Sequence, residues 1–369
     1  QGFYPAKVTR VEDPDVYVEV PQLTYDFEHG PIIYTGALPA VDDEIFVSFF
    51  EGDQDTVVAI VPGGGSGTAG APIEPSYLVA SSTARQEIKD VADYVCDGVH
   101  DQVEINQALD AAALNGGGIV QLSEGTFNCR IIFAYGDELD IGENVHLKGT
   151  GNGTLLYLSF TDFLGLNFPS MIFLDSYAEI SDLRIDVFPE DWEGDVNRNF
   201  TKVIDTTAAL PYATVRNVTF TGMQQWIDLG LNGIFAYVYG TEMIVKDCLF
   251  YDLIGDPANF YQDQTAIYVQ SGSFQATIEN NLFVSHHYPE SSNSGYDLKA
   301  AVYIDGEGTT IRNNVFLDAS VVHQRSNDFQ TTTTISGNRF YSQKQNTENG
   351  FVHLGGSQGV KITRNTFEG

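Results

Sequence analysis

The sequence predicts an all-β protein whose larger part is a stack of short strands. A six-residue phrase that ends in phenylalanine recurs through the second half of the chain: Val215–Phe220, Val245–Phe250, Ile278–Phe283, Ile311–Phe316, Ile335–Phe340 and Ile362–Phe367, with a looser copy at Ile180–Ile185. Successive phenylalanines lie 30, 33, 33, 24 and 27 residues apart. A period in this range indicates stacked like units. Each phrase reads as strand, turn, strand, which predicts a right-handed parallel β-helix.

Residues 1–62 form a small unit of their own in this interpretation. Alternating or apolar runs predict five short strands at Lys7–Val11, Val16–Val20, Pro31–Thr35, Glu44–Phe50 and Thr56–Val61. Five strands with tight turns in so short a segment favour a small closed barrel. The phrase Val41-Asp-Asp-Glu44 before one strand and the turn Glu51–Asp55 resemble the OB-fold domains of phage baseplate and tail-tip proteins. The resemblance covers this unit alone and implies an attachment module.

A linker follows at residues 63–75. Its first part is rich in Gly and Ser, and two prolines stand near its end. Gly and Ser make a linker flexible, and Pro stiffens it. The segment therefore marks a domain boundary.

Residues 76–127 open the second domain with a predicted strand at Tyr77–Ala80 and a helix from Asp101 to Leu114. The helix places Val103, Ile105, Ala108, Leu109 and Ala112 on one apolar face. The region resembles the start of the pectate-lyase-superfamily β-helices of phage tailspikes, through Asp97-Gly-Val, Asp101, Ile105, Ala108-Leu109, Ala112, Gly116-Gly-Gly118, Val120, Leu122 and Gly125-Thr-Phe127. The resemblance implies an N-terminal cap that covers open strand edges. It implies the fold and no particular activity.

Residues 128–369 form the predicted coil, in which each turn contains three short strands. The best-defined coil reads Ala300–Asp305, Thr309–Asn313, a sharp turn at Asn314, and Val315–Leu317. Segments of variable length at 188–201, 254–264, 285–299 and 343–349 join the third strand of one coil to the first strand of the next. One turn position holds Asn281, Asn314, Asn338 and Asn365, with Cys248 in another copy. We interpret this column as a structural amide ladder and the phenylalanines as a core stack.

Charge excludes some functions. The chain has 50 acidic and 18 basic residues, a net charge of −32. Such a surface repels phosphate backbones, so we predict no nucleic-acid partner. Two interpretations stay open: a soluble extracellular protein, or a halophilic one whose self-repulsion is screened by salt. No apolar run approaches the ~20 residues of a membrane span, so no membrane insertion is predicted.

The three cysteines, Cys96, Cys129 and Cys248, are too few for a disulfide framework or a metal site. We predict small buried side chains, with a Cys96–Cys129 bridge as the alternative. The prediction includes no metal and no other cofactor.

The outward residues of the first strands are the candidate binding site. Alternation places Val302 and Ile304 inward and Tyr303 and Asp305 outward. The expected register forms one column of Tyr268, Tyr303, His323 and His353, beside a second column of Gln270, Asp305 and Arg325. Aromatic rings, imidazoles and planar polar groups in one groove are typical of a carbohydrate-binding surface. The alternative is a solvated sheet face with an ordinary Asp305–Arg325 ion pair.

The variable connections add Trp192, Tyr288 and Tyr296 as further candidate contacts, because loops on a rigid scaffold often carry function. Glycoside hydrolysis needs two carboxyl groups about 5–5.5 Å or 6.5–9.5 Å apart. Coils about 4.8 Å apart could provide either spacing, and the candidate catalytic residues are Asp263, Asp297 and Asp305. The residue set of polygalacturonases and the calcium-and-arginine signature of pectate lyases are not found in the sequence.

The two resemblances together imply an extracellular virion tail protein. Residues 1–62 would attach it to other tail or baseplate proteins, and the β-helix would bind a host surface polysaccharide or glycoprotein. Tailspikes of this class are homotrimers, which multiplies weak glycan contacts. The alternatives are a depolymerase of the host envelope, either a glycosidase or a lyase, and a purely structural baseplate component. Whether the chain is an enzyme stays open at this point.

Overall fold

A computed structural model describes residues 4–12, 15–19, 28–29, 33–35, 44–50, 53–60, 77–132, 138–161, 170–189, 201–206, 210–221, 233–238, 240–253, 265–270, 273–285, 299–323, 332–342, 351–355 and 359–368. The described chain is almost entirely β-structure, as predicted. The linker at 63–75 lies outside these residues. The domain boundaries at 62, 75 and 127 stay predictions.

The first 60 residues contribute one sheet. Its strands are β1 (Tyr4–Glu12), β2 (Asp15–Glu19), β3 (Glu28–His29), β4 (Ile33–Thr35), β5 (Glu44–Phe50) and β6 (Asp53–Ile60), in the order β3-β2-β1-β5-β6-β4. Neighbouring strands are antiparallel except for β4 and β6, which are parallel. The predicted strands are therefore found, while the closed OB-like barrel stays a prediction.

The next segment contains β7 (Tyr77–Ala80), α1 (Gln86–Lys89), β8 (Tyr94–Val95), α2 (Gln102–Leu114) and β9 (Gly118–Leu122). Helix α2 lies where the sequence predicts a helix. It buries Ile105, Ala108, Leu109 and Ala112. The prediction for Val103 is wrong, because this side chain is 47% exposed. Val103 precedes Ile105 by two residues, or about 200° around the helix, and so lies on the opposite side.

Polar side chains of α2 bond to the backbone at the start of the coil, in β10 (Gly125–Ile132) and just before β11 (Leu139–Ile141). The Gln102 amide donates to the Arg130 carbonyl at 2.7 Å and accepts the Arg130 N–H at 3.0 Å. The Asn106 amide donates to the Glu138 carbonyl at 2.7 Å. These bonds satisfy backbone groups that pair with no preceding strand among the residues that the structure describes.

The coil has three columns of parallel strands. The first strands form an eight-stranded sheet, the first-strand sheet: β11, β14 (Ser170–Leu174), β16 (Thr201–Thr206), β19 (Gly233–Val238), β23 (Thr265–Val269), β26 (Lys299–Ile304), β29 (Ala319–His323) and β32 (Val352–Leu354).

The second and third strands belong to one larger sheet that bends between them. Second strands are β12 (Val145–Lys148), β21 (Ile244–Lys246), β24 (Thr277–Glu279), β27 (Thr310–Arg312), β30 (Thr333–Ser336) and β33 (Val360–Thr363). Third strands are β10, β13 (Thr154–Thr161), β22 (Leu249–Leu253), β25 (Leu282–Ser285), β28 (Val315–Leu317), β31 (Arg339–Tyr341) and β34 (Thr366–Glu368). Two longer strands, β15 (Glu179–Pro189) and β18 (Thr214–Thr221), run through both columns, and β17 (Leu210–Pro211) pairs with β20 (Gly240–Thr241). These stacked parallel strands are the arrangement of a β-helix.

The turn between second and third strands has two residues with different roles. The first residue is in the left-handed region, with φ between 50° and 67°, at Asp182, Asn217, Asp247, Asn280, Asn313, Gly337 and Arg364. The sharp turn expected at Asn314 therefore begins one residue earlier. Asn and Asp tolerate this conformation better than most residues.

The second turn residue forms the predicted amide ladder. Asn314 Oδ1 accepts the backbone N–H of Asn281 at 2.8 Å and its Nδ2 at 3.0 Å. Asn314 Nδ2 donates to the Ile278 carbonyl at 3.0 Å. Asn338 repeats these contacts one coil later: its Oδ1 accepts the N–H and the Nδ2 of Asn314, and its Nδ2 donates to the Ile311 carbonyl. Cys248 occupies this position in its coil and donates its N–H to Asn281 Oδ1. The structural interpretation of the asparagines is confirmed.

The phenylalanine stack is confirmed for five members, while Phe367 stacks on Phe340 but is 48% exposed and so is not part of the core. Phe220, Phe250, Phe283, Phe316 and Phe340 are 0% exposed. Ring centroids of neighbours lie 4.6–5.0 Å apart, with interplanar angles of 10° or less. All three cysteines are buried and free, so the alternative of a Cys96–Cys129 bridge is not formed here.

Candidate functional site

Several residues that the sequence predicts to bind a ligand lie on the outward face of the first-strand sheet. Strand pairing places Tyr268 beside Tyr303, Tyr303 beside Val322, and Val322 beside His353. Val302 and Ile304 point inward and are 0% exposed, as the alternation predicts. The column thus contains two tyrosines, a valine and a histidine on successive coils.

Tyr268 and Tyr303 form the centre of this column. Their ring centroids are 5.2 Å apart, and the rings are inclined by 41°. Both side chains are half-buried, so each is held by its coil and still reaches solvent. Burial, and then the carboxylate of Asp305, raise the pKa of the Tyr268 phenol. The phenol therefore stays protonated at neutral pH and remains a hydrogen-bond donor.

Gln270 and Asp305 follow their strands at the same position in adjacent coils. The Asp305 N–H donates to the Val269 carbonyl at 2.8 Å, and the Gln270 N–H donates to the Val238 carbonyl at 3.0 Å. Both side chains are half-buried. An amide and a carboxylate thus lie beside the tyrosine pair, as the register predicts. Arg325, the third member of that predicted column, lies outside the described residues.

The position predicted for His323 is wrong. Ala300 pairs with Ser320, but Val302 pairs with Val321, so one extra residue bulges out of β26. The bulge shifts the register by one residue, so the side chains of β29 lie on the faces opposite to those predicted. Val322 takes the outward position beside Tyr303, and His323 aligns with Ile304, only 3% exposed. His353 does lie in the predicted column.

The remaining predicted residues lie outside the part of the chain that the structure describes. They are the catalytic candidates Asp263 and Asp297 and the contact candidates Trp192, Tyr288 and Tyr296. Their roles stay predictions.

The same sheet contains a buried polar cluster, nearer its N-terminal end, that the sequence did not predict. Lys202 Nζ donates to Asp205 Oδ2 at 2.9 Å, and the Ser170 hydroxyl donates to the same oxygen at 2.8 Å. Strict alternation would put Lys202 and Asp205 on opposite faces. Val203 and Ile204 between them are both buried, so the strand bends and brings the two charges together. The sequence signal that could have indicated this bend is a pair of adjacent apolar residues that recurs in the first strands: Met171-Ile172, Val203-Ile204, Ala266-Ile267 and Ala301-Val302.

The spacing of carboxylates on this face limits the chemistry. Asp205 aligns with Tyr237, Tyr237 with Tyr268, and Tyr268 with Tyr303, the residue two before Asp305. Three coils at about 4.8 Å separate the two acids by about 14 Å. Two-carboxylate glycoside hydrolysis needs at most about 9.5 Å. Asp205 and Asp305 therefore do not form a catalytic pair.

One group of side chains beneath α2 could hold a metal ion. Ligand atoms of Cys96, Asp101 and Glu104 lie within 4.8 Å of one another. The Asp101 carboxylate already accepts the N–H groups of Gly98 and Asn128. Burial raises the pKa of the Cys96 thiol, which disfavours the thiolate that a metal would bind. We interpret the group as part of the packing under the helix.

None of the helices that the structure describes is long and apolar enough to cross a membrane.

The comparison with protein families agrees with the fold. The family described as the right-handed beta helix region matches residues 203–369. The chain is similar to the A-module of mannuronan C-5 epimerase AlgE6 from Azotobacter vinelandii, with 18% identity, a TM-score of 0.46, and coverage of 73% of this chain and 72% of that one. No curated protein sequence matches the chain.

Two further solved structures resemble it. Pectin methylesterase PemA from Erwinia chrysanthemi has 10% identity and a TM-score of 0.44, with coverage of 81% of this chain and 90% of that one. A tailspike protein double mutant of E. coli bacteriophage HK620 has 14% identity and a TM-score of 0.35, with coverage of 72% and 53%. The neighbours thus include a phage tailspike and enzymes named for polysaccharide substrates.

Proposed function

We propose that the chain is a virion tail protein that binds a host surface polysaccharide through the outward face of its first-strand sheet. The observation that supports glycan binding is the Tyr268–Tyr303 pair beside Gln270 and Asp305. Two half-buried rings supply apolar faces, and the amide and carboxylate supply hydrogen bonds to hydroxyl groups. Aromatic rings with a fixed orientation contribute contact area at low entropic cost.

The tail assignment is supported by two sequence resemblances, that of residues 1–62 to baseplate OB-fold domains and that of residues 97–127 to tailspike caps. In this proposal the first unit docks to other tail or baseplate proteins, and α2 caps the coil. The coil then projects toward the host as part of a homotrimer.

Binding tests the central claim. Purified chain is titrated with surface polysaccharides on a glycan array, and Tyr303→Ala is compared with Val322→Ala, its neighbour in the same column. Removing an anchoring aromatic side chain costs more than about 1.4 kcal/mol, so Tyr303→Ala should weaken binding at least tenfold. Val322→Ala should change it much less. Equal affinities of Tyr303→Ala and the wild type would place the glycan site elsewhere.

A depolymerase that acts on the same polysaccharide is the second candidate. Asp305 favours it, because this carboxylate follows the strand of Tyr303 and lies beside the tyrosine pair that we propose to bind the glycan. Asp263 and Asp297 remain the proposed partners of Asp305 in catalysis. New reducing ends or unsaturated sugars after incubation would support cleavage, and Asp305→Asn should abolish them. Retained binding without products would leave a receptor-binding protein only.

A further inference from the structure

The outward face of the second strands differs in charge from the rest of the chain. We call it the second-strand face. In each coil it comprises the two outward residues of the second strand and the first residue of the turn that follows. Its basic members are Lys148, Arg216, Lys246, Arg312, Lys361 and Arg364, and its acidic members are Glu179, Asp182, Asp247 and Glu279. Six of the 18 basic residues but only four of the 50 acidic ones lie here, which leaves 12 basic and 46 acidic residues elsewhere.

The ion pairs on this face present their cations to solvent. Arg312 pairs with Glu279, and the side-chain exposures are 51% and 18%. Lys148 and Asp182 are 3.9 Å apart, with exposures of 38% and 19%. Arg216 and Glu179 repeat the pattern at 35% and 27%. Within each of these ion pairs, the cation is therefore the group that a partner meets first.

The face is also regular. Pairing from β12 to β33 continues coil by coil without a bulge in the second strands. From β21 onward, each second strand passes to the third through two residues only, such as Asn280 and Asn281. Eight coils at about 4.8 Å give a face about 34 Å long. Small-ligand sites are usually concave, whereas a regular face of this length suits contact with another protein.

We propose that the second-strand face docks against the acidic surface of a second copy of this chain. Each face has six basic and four acidic residues, so two such faces repel each other, whereas an acidic surface attracts one of them. The contact is therefore heterologous, between a basic face and a different, acidic surface, and a heterologous contact that closes forms a ring. At physiological salt, charges beyond about 8 Å are screened, so the local match outweighs the net repulsion between copies. The proposal rests on the homotrimeric tail assembly proposed above and is independent of glycan binding.

The test measures the mass of the full chain by light scattering and sedimentation at about 0.15 M and 1 M salt. The wild type should form an oligomer that weakens at high salt. Arg312→Glu should weaken association at least tenfold. Arg85→Glu, the same charge change at an exposed residue outside the coil faces, should not. Lys361→Glu gives a second reading at an exposed position of the last coil, should Arg312→Glu impair folding.

Several outcomes would overturn the proposal. A wild type that stays monomeric at the highest concentration reached is one, and equal effects of Arg312→Glu and Arg85→Glu are another. A third is binding of a soluble polyuronate that Arg312→Glu abolishes without any change in mass, because the face would then be a site for an acidic glycan. Loss of glycan binding in Tyr303→Ala with an unchanged mass concerns the first-strand sheet only, so the two proposals fail separately.

Discussion

Two columns of residues cross the same coils and differ in how much they vary. The turn column holds Asn281, Asn314, Asn338 and Asn365, whose amides bond to one another. The outward column of the first-strand sheet holds Tyr268, Tyr303, Val322 and His353. A position whose partner is the same position in the next coil must keep its residue type. A position that faces outward does not have that requirement, so its residue type can differ between coils and can serve ligand binding.

The columns also differ in how they tolerate a change of length. The second strands keep their register through all coils, whereas the first strands accept a bulge between Ala300 and Val302. A bulge inside the ladder would break contacts with both neighbouring coils. On the first strand it exchanges one outward residue for the next, which changes the face and leaves the stack intact.

The largest expected effect comes from the phenylalanine stack. Phe316 is 0% exposed and lies between Phe283 and Phe340, at 4.8 Å and 4.6 Å. Phe316→Ala should cost about 3–5 kcal/mol in the free energy of unfolding, through lost burial and the cavity that remains. Denaturant titration followed by circular dichroism measures it. Tyr303→Ala should cost clearly less, and equal costs would contradict the division between scaffold and outward face.

The amide ladder should follow closely. Asn314→Ala removes the acceptor of two hydrogen bonds from Asn281 and a donor to Ile278, all in a fully buried turn. Unsatisfied buried polar groups cost about 1–3 kcal/mol each, so a loss of about 2–4 kcal/mol is expected in the same titration. Asn365→Ala, at the last described rung, removes the contacts with Asn338 and Ile335 in a turn that is only half-buried, and should cost less. A larger loss for Asn365→Ala would mean that the ladder is not what couples the coils.

Much of the fold is predictable because it repeats. The period of the Phe phrase identifies the stack, and alternation identifies which residues of β26 point inward. Helix α2 is found because Ile105, Ala108, Leu109 and Ala112 follow the helical period. The prediction for Val103 is wrong because it relies on the hydrophobicity of the side chain and ignores its angle around the helix.

The site is less predictable, because it depends on register and bends that leave little trace in composition. His323 was misplaced by a single bulged residue that no turn signal marks. Lys202 and Asp205 were missed because a bend at Val203 and Ile204 overrides alternation. Residues on connections of unequal length have no repeat to align with, so the roles of Asp263 and Asp297 remain predictions.

The two histidines test the corrected register. His323 is 3% exposed, so His323→Ala should cost about 1–3 kcal/mol of stability, because it leaves a cavity among buried groups. His353 is half-buried in the outward column, and His353→Ala should change stability by less than about 0.5 kcal/mol while weakening glycan binding. Denaturation and array binding are measured on both variants. A stable His323→Ala that loses binding would restore the original column.

The smallest effect concerns Cys248, the rung where the ladder departs from asparagine. Its Sγ lies 3.8 Å from the Val215 carbonyl, the group that an asparagine Nδ2 would reach in this coil. Cys248→Asn should therefore extend the ladder and change stability by less than about 1 kcal/mol at pH 7, which separates it from Asn314→Ala. A loss comparable to that of Asn314→Ala would mean that the rung requires a small side chain.

Alkaline pH sharpens this test. Burial raises the pKa of the Cys248 thiol above its ordinary value of 9.0. The unfolded thiol ionises first, so the unfolded state releases its proton while the folded state keeps it, and stability falls as pH rises above 9. Each pH unit in that window costs the wild type about 1.4 kcal/mol for this thiol. Cys248→Asn lacks the group, so unfolding curves at pH 8 and 10 should separate the two proteins in its favour by about that amount. Parallel curves would mean that the thiol ionises equally in both states and is not held in the buried rung.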